Sequence, residues 1–146
     1  MTITKFRLSA LLVLTFAAGA LLTSRLMNTK DVHAANRRVY ELRTYHTFPG
    51  RLPALQARFR DHTVTLFNRH HITSVGYFTP QDAPIAENTL IYILAHDNRE
   101  SAKENWASFQ KDPEWQAAAK ASEADGKIVE KLESVFMDPT DFSALK

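Results

Sequence analysis

The chain has 146 residues, with 18 basic and 16 acidic side chains and no cysteine. That length fits one domain around one core, and the lack of cysteine excludes disulfides, thiolate metal sites and a cysteine nucleophile. Lys5, Arg7, Arg25 and Lys30 fall in the first 34 positions against Asp31 alone, which leaves 14 basic and 15 acidic residues beyond them, so no nucleic-acid partner is expected.

At the N-terminus Lys5 and Arg7 precede Leu8 to Leu22, a run of 15 residues without a charge. This is the pattern of a secretory n-region and h-region. Val32-His33-Ala34 supplies branched or small residues where a signal peptidase reads them, so cleavage is expected after Ala34, with a domain over 35–146. The alternative is an uncleaved anchor, with membrane contact through residues 8–27 only. Either outcome exports the domain, to the periplasm or beyond.

Val39 to Thr47 is rich in β-prone residues and stops at Pro49-Gly50, which predicts a first strand. Alternation puts Tyr40 and Leu42 on one face and Glu41, Arg43 and Tyr45 on the other. The first face, being apolar, is expected to take the helices, which leaves the second open. Arg51 to His70 predicts one helix of about five turns, with Pro53 in its first turn and Leu52, Leu55, Phe59, Leu66 and Phe67 on its apolar stripe. Arg58 falls outside that stripe, and His62 beside it reads as a hydrogen-bonded core residue.

Ile72 to Thr79 predicts a second strand, and Asn88 to His96, apolar on both faces, a third in the middle of a sheet. Asn98 or Ser101 caps a second helix that ends near Gln110. Asp112-Pro113 restarts it as far as Ala124, and Gly126 stops it. Lys127 to Met137 is the fourth strand, and Asp138-Pro139 opens a tail. This order is βαββαβ, an α+β ferredoxin-like fold in which two helices cover one face of a four-stranded antiparallel sheet. The other face is bare, and a second copy of the chain is its expected partner.

Tyr40-Glu41-Leu42-Arg43-Thr44-Tyr45, Pro49-Gly50 with Leu52, Gly76-Tyr77-Phe78, and Trp106 followed by Asp112-Pro113-Glu114-Trp115 resemble the NIPSNAP family over Val39 to Phe142. The resemblance implies a dimeric α/β barrel in which two sheets pack face to face. The chain departs from the family at His70-His71, where a Gly is expected after the first His.

Glu41, Arg43 and Tyr45 are the candidate catalytic residues. Between two sheets, an acid, a cation and a phenol could orient a small carbonyl or phenolic ligand, with Glu41 accepting a proton if burial raises its pKa. In the alternative, Glu41 and Arg43 pair and fix the register. His46, Tyr77, Tyr92 and His96 are candidate ligand-binding residues. Strands one and three, taken as parallel, would bring His46 and His96 to one edge of the sheet and leave His70 and His71 at the other. A His46–His96 pair with Asp97 is then conceivable, but no spacing motif supports it, and neither metal nor cofactor is expected. Trp106, Phe109 and Trp115 read as packing between helix and sheet.

Three functions fit this pattern. The first is an exported homodimer binding a small molecule between its sheets, the second a cofactor-independent oxygenase or isomerase, and the third a non-catalytic interaction module. A pocket holding Glu41 and Arg43 unpaired favours an enzyme, and a closed ion pair favours a module.

Overall fold

The computed structural model describes residues 38–145, so the leader, the cleavage position after Ala34 and the 8–27 segment lie outside the described residues. In order, the elements are β1 (Val39–Thr47), α1 (Leu52–Arg58), a π-turn (Phe59–Thr63), α2 (Val64–Arg69), β2 (Thr73–Phe78), a 3-10 turn (Ile85–Glu87), β3 (Thr89–His96), α3 (Arg99–Lys111), α4 (Pro113–Ser122) and β4 (Val129–Met137). The sheet order is β2-β3-β1-β4 with every neighbouring pair antiparallel, the ferredoxin-like arrangement expected from the element order. Among the described residues no helix is long and apolar enough to cross a membrane.

Local chemistry sets the helix ends. Pro53 occupies the first turn of α1, where a missing N–H costs nothing. Asn98 caps α3 by accepting the Ser101 N–H at 2.8 Å. Asp112 caps α4 by accepting the Glu114 N–H at 2.8 Å, with Pro113 in the first helical position. The helix expected over Arg51 to His70 contains an interruption. At the π-turn the Val64 N–H bonds the Phe59 carbonyl, five residues back, and the Thr63 hydroxyl bonds the Arg58 carbonyl at 3.2 Å. The extra residue rotates the remainder of the helix, and His62, expected in the core, is exposed. Arg58, expected outside the apolar stripe, is buried with Nη1 3.3 Å from Ser122 Oγ and its guanidinium 5.5 Å from the Trp115 ring.

Between helices and sheet lies one core, built on Leu55, Phe59, Leu66, Phe67, Tyr92 and Leu94, with Phe109 and Ile128 closing it. Trp106 and Trp115 pack on its border, as expected of inter-layer aromatics. The sheet's faces are the reverse of those expected from β1. Arg43 stacks 4.3 Å from the Trp106 ring of α3, and the Tyr45 and Phe59 ring centroids are 6.0 Å apart, so Glu41, Arg43 and Tyr45 face the helices. Leu42 is on the open face, paired with Ile93 of β3 and Val135 of β4. Alternation fixes which residues share a face but carries no information on which face the helices cover. Nor is the open face wholly bare. The C-terminal tail folds against one end of it, where Leu145, Ser143 and Pro139 join Tyr40, Ile93 and Met137 around a cavity of about 240 Å³.

The turn into β2 explains the expectation of a glycine. His71 has φ +57, the left-handed region, and its carbonyl is held by Asn105 Nδ2 at 3.0 Å. That conformation costs a residue with a Cβ about 1–2 kcal/mol, whereas glycine costs about 0.5–1 kcal/mol through the greater freedom of the unfolded chain. His71→Gly should therefore stabilise the fold by about 0.5–1 kcal/mol, a rise of a few degrees in Tm on thermal unfolding.

Candidate functional site

Under α3, the sheet carries a carboxylate with both oxygens fully occupied. Glu41 is 1% exposed. Its Oε1 accepts from Arg43 Nη1 at 2.7 Å and from the Ser134 hydroxyl at 2.6 Å, and its Oε2 accepts from Trp106 Nε1 at 2.7 Å and from His96 Nε2 at 3.1 Å. The donors come from β1, β4, α3 and β3. Burial by itself pushes the Glu41 pKa up, but the hydrogen bonds from His96, Ser134 and Trp106 and the charge of Arg43 outweigh it and hold the group at about 2. The raised pKa that a proton acceptor at neutral pH requires is therefore absent, and the lone pairs are already engaged.

Arg43 completes the cluster. Its Nη2 donates to the Tyr45 hydroxyl at 3.3 Å, and its Nε has no partner. Burial favours the neutral guanidine, yet Tyr45, Tyr92 and Glu41 raise the Arg43 pKa above its ordinary value. The Glu41–Arg43 contact is a closed pair. With Glu41 ionised, His96 bonds it through a protonated Nε2, which leaves the buried Nδ1 without a partner.

The candidate tyrosines sit beside this cluster on the same face of the sheet. Tyr92 lies 5.4 Å from Tyr45 and 5.6 Å from Tyr77 between ring centroids, and Phe59 packs against all three. Apart from a long contact with the Tyr45 phenol, the buried Tyr92 hydroxyl has no hydrogen-bond partner, and burial pushes its pKa well above the ordinary range. Burial also raises Tyr77, less so because the Ser74 hydroxyl lies 2.6 Å from its oxygen. Glu41, Arg43, Tyr45, Tyr77, Tyr92 and His96 are thus brought together between sheet and helices, and not on the open face where two sheets would meet.

His46 is separate from that group. β1 and β3 are antiparallel, so His46 pairs with Thr89 and His96 with Val39, at opposite ends of the strands. Seven residues at ~3.3 Å each separate the two ends by about 23 Å. The expected shared edge for His46 and His96 is therefore wrong, and β2 begins opposite Ala95, so His70 and His71 lie toward the His96 end. On the open face His46 Nδ1 lies 3.3 Å from Thr89 Oγ1. Among the described residues no three His, Asp or Glu side chains gather as a metal site.

Sequence reasoning misses three participants. Ser134 becomes a donor only because β4 pairs it with Arg43, a register that alternation cannot supply. Trp106, expected to serve packing alone, also donates its indole N–H, a second function of the same ring. His70, whose Nε2 is 2.7 Å from Asp112 Oδ2 and whose Nδ1 is 2.8 Å from Ser108 Oγ, ties the end of α2 to the junction of α3 and α4. Its hydrogen bond lowers the Asp112 pKa. None of Glu41, Arg43, His46, Tyr92 and His96 lines the cavity of about 330 Å³ at the outer edge of the sheet, whereas Tyr77 does.

A four-stranded antiparallel sheet with helices on one face and a saturated carboxylate beneath them defines a small ferredoxin-like α+β domain. The NIPSNAP family model matches residues 40–144, and the chain belongs to the NIPSNAP family. It is similar to a NIPSNAP family protein of unknown function from Agrobacterium tumefaciens, at 29% identity and TM-score 0.66 over 76% of this chain and 96% of that one. An uncharacterised NIPSNAP-like domain protein from Burkholderia xenovorans is 18% identical, with TM-score 0.65 over 76% and 93% of the two chains. A cofactor-independent oxygenase from Streptomyces nogalater shares the fold alone, at 12% identity and TM-score 0.50 over 74% and 98%. Among curated proteins, none matches this chain.

The depressed Glu41 pKa sets a pH dependence. A carboxyl titrating near 4.5 when unfolded and about 2 when folded contributes stability that is complete above the unfolded value and is lost as pH falls from about 5 toward 2. The difference is worth about 3 kcal/mol. Glu41→Gln should cost about that much at pH 7 and flatten the acid limb of the stability profile, measured by urea unfolding at pH 7 and pH 3.

Proposed function

We propose that this chain is an exported, homodimeric NIPSNAP domain that binds a small molecule and does not use Glu41 as a catalytic base. The observation that carries the dimer is the open face of the sheet. There Leu42, Ile91 and Ile93 form the centre, and Val135 and Phe78 are 53% and 54% exposed in the single chain. An apolar patch of this kind, bordered on the same face by Thr44, His46, Lys131 and Glu133, favours burial against a partner, and a two-fold axis lets one surface serve both copies. Export rests on Lys5, Arg7, the Leu8 to Leu22 run and Ala34.

Against catalysis by Glu41 stands the closed pair with Arg43, together with a carboxylate held at about 2. The small-molecule part of the reading moves from the space between sheets to the space between sheet and helices, where the aromatic residues and the larger cavity lie.

Native mass spectrometry of the mature protein from its host tests both parts. A dimer carrying a retained ligand is the expected species, and a bare monomer at micromolar concentration overturns the reading. Val135→Glu puts a charge on the apolar part of the proposed interface, and should convert the dimer to a folded monomer with an unchanged circular dichroism spectrum.

A further inference from the structure

We propose that the cavity of about 330 Å³ between the π-turn and strand β2 binds a small organic monocarboxylate with an apolar or aromatic body. The inference rests on the small-molecule reading above and is independent of the dimer. The volume lies within the range of ligand sites, roughly 300–1,000 Å³. Phe59, Val64, Leu90 and Tyr77 make its walls, a surface that accepts hydrocarbon and offers few hydrogen bonds. Arg60 and Gln56 supply the polar contribution, and no acidic residue lines the cavity.

Two arginines of the helical layer form no ion pair among the described residues: Arg99, whose guanidinium stacks 3.7 Å from the Phe136 ring, and Arg60. Arg51, Arg58 and Arg69 each pair with a carboxylate. A guanidinium without a partner at the rim of an apolar cavity is matched by one carboxylate, which it can bind through two parallel N–H donors. One cation beside one amide suits a single negative charge, and the apolar walls disfavour a heavily hydrated dianion such as phosphate.

The site is a product of the π-turn. Phe59 and Arg60 belong to that turn and Val64 closes it, so the inserted residue sets where the cation stands relative to the aromatic wall. Such turns inside helices recur at functional positions. The opposite wall comes from Tyr77 and Leu90, on neighbouring strands β2 and β3, and Tyr77 joins the cavity to the Tyr92 and Tyr45 rings deeper in the layer.

The test is calorimetric titration of the protein as isolated from its host, after exhaustive dialysis, with 1-naphthoate and with the neutral 1-naphthamide. Naphthoate is expected to bind at least tenfold more tightly than naphthamide in the unaltered protein. Arg60→Gln should abolish that preference while leaving naphthamide binding within twofold. Thr79→Trp, at an exposed position on the rim, should weaken both ligands at least tenfold without lowering Tm. No heat from naphthoate up to millimolar concentration, or naphthoate binding unaltered in both variants, overturns the assignment. In either case a ligand retained in native mass spectrometry would still support small-molecule binding elsewhere, so the two readings fail separately.

Discussion

The structure depends on a carboxylate that is buried without becoming neutral. Moving an ion such as Glu41 out of water costs several kcal/mol, which only near-complete hydrogen bonding and an opposite charge can offset. Arg43, Ser134, Trp106 and His96 supply both, and they do so from four different elements. Strand register, the docking of α3 and the rotamers of four side chains are therefore tied to one pair of oxygens. Apolar packing alone tolerates small slides of helix over sheet, but a charge that must meet four donors does not.

That constraint divides the labour between the two faces of the sheet. The helix side is polar at the His96 end, and becomes aromatic through Tyr45, Tyr92 and Tyr77 toward the edge strand, where the larger cavity opens. On the other side of the same strands the centre is aliphatic, with Leu42, Ile91 and Ile93. A strand with two such different faces is central and doubly covered, by its own helices on one side and, in our proposal, by a second copy on the other. The tail from Asp138 to Leu145 occupies one end of that second side and limits how far a partner could extend.

The helical layer shows how one inserted residue changes which side chains are exposed without altering the fold. With the π-turn in place Phe59, Leu66 and Phe67 lie in the core and His62 is exposed, while Arg58, just before the turn, is buried against Trp115 and Ser122. Periodicity read from sequence assumes regular winding, so it cannot report an insertion that turns the chain beyond Thr63 relative to the part before it.

Element order, strand and helix types and the cap at Asp112 were legible in the chain itself, because each is decided by residues within a few positions of one another, whereas the left-handed conformation of His71 was not. Asn98, Asp112-Pro113 and the alternation of β1 carry their own local physics. Which face of β1 met the helices, that β1 and β3 are antiparallel, that Ser134 stands beside Arg43, and that the Glu41 pKa falls instead of rising were settled only by tertiary structure. Those properties belong to pairs and layers distant in sequence. A period of two is the same viewed from either side of a sheet, and a carboxylate's pKa is set by the donors that the fold brings to it.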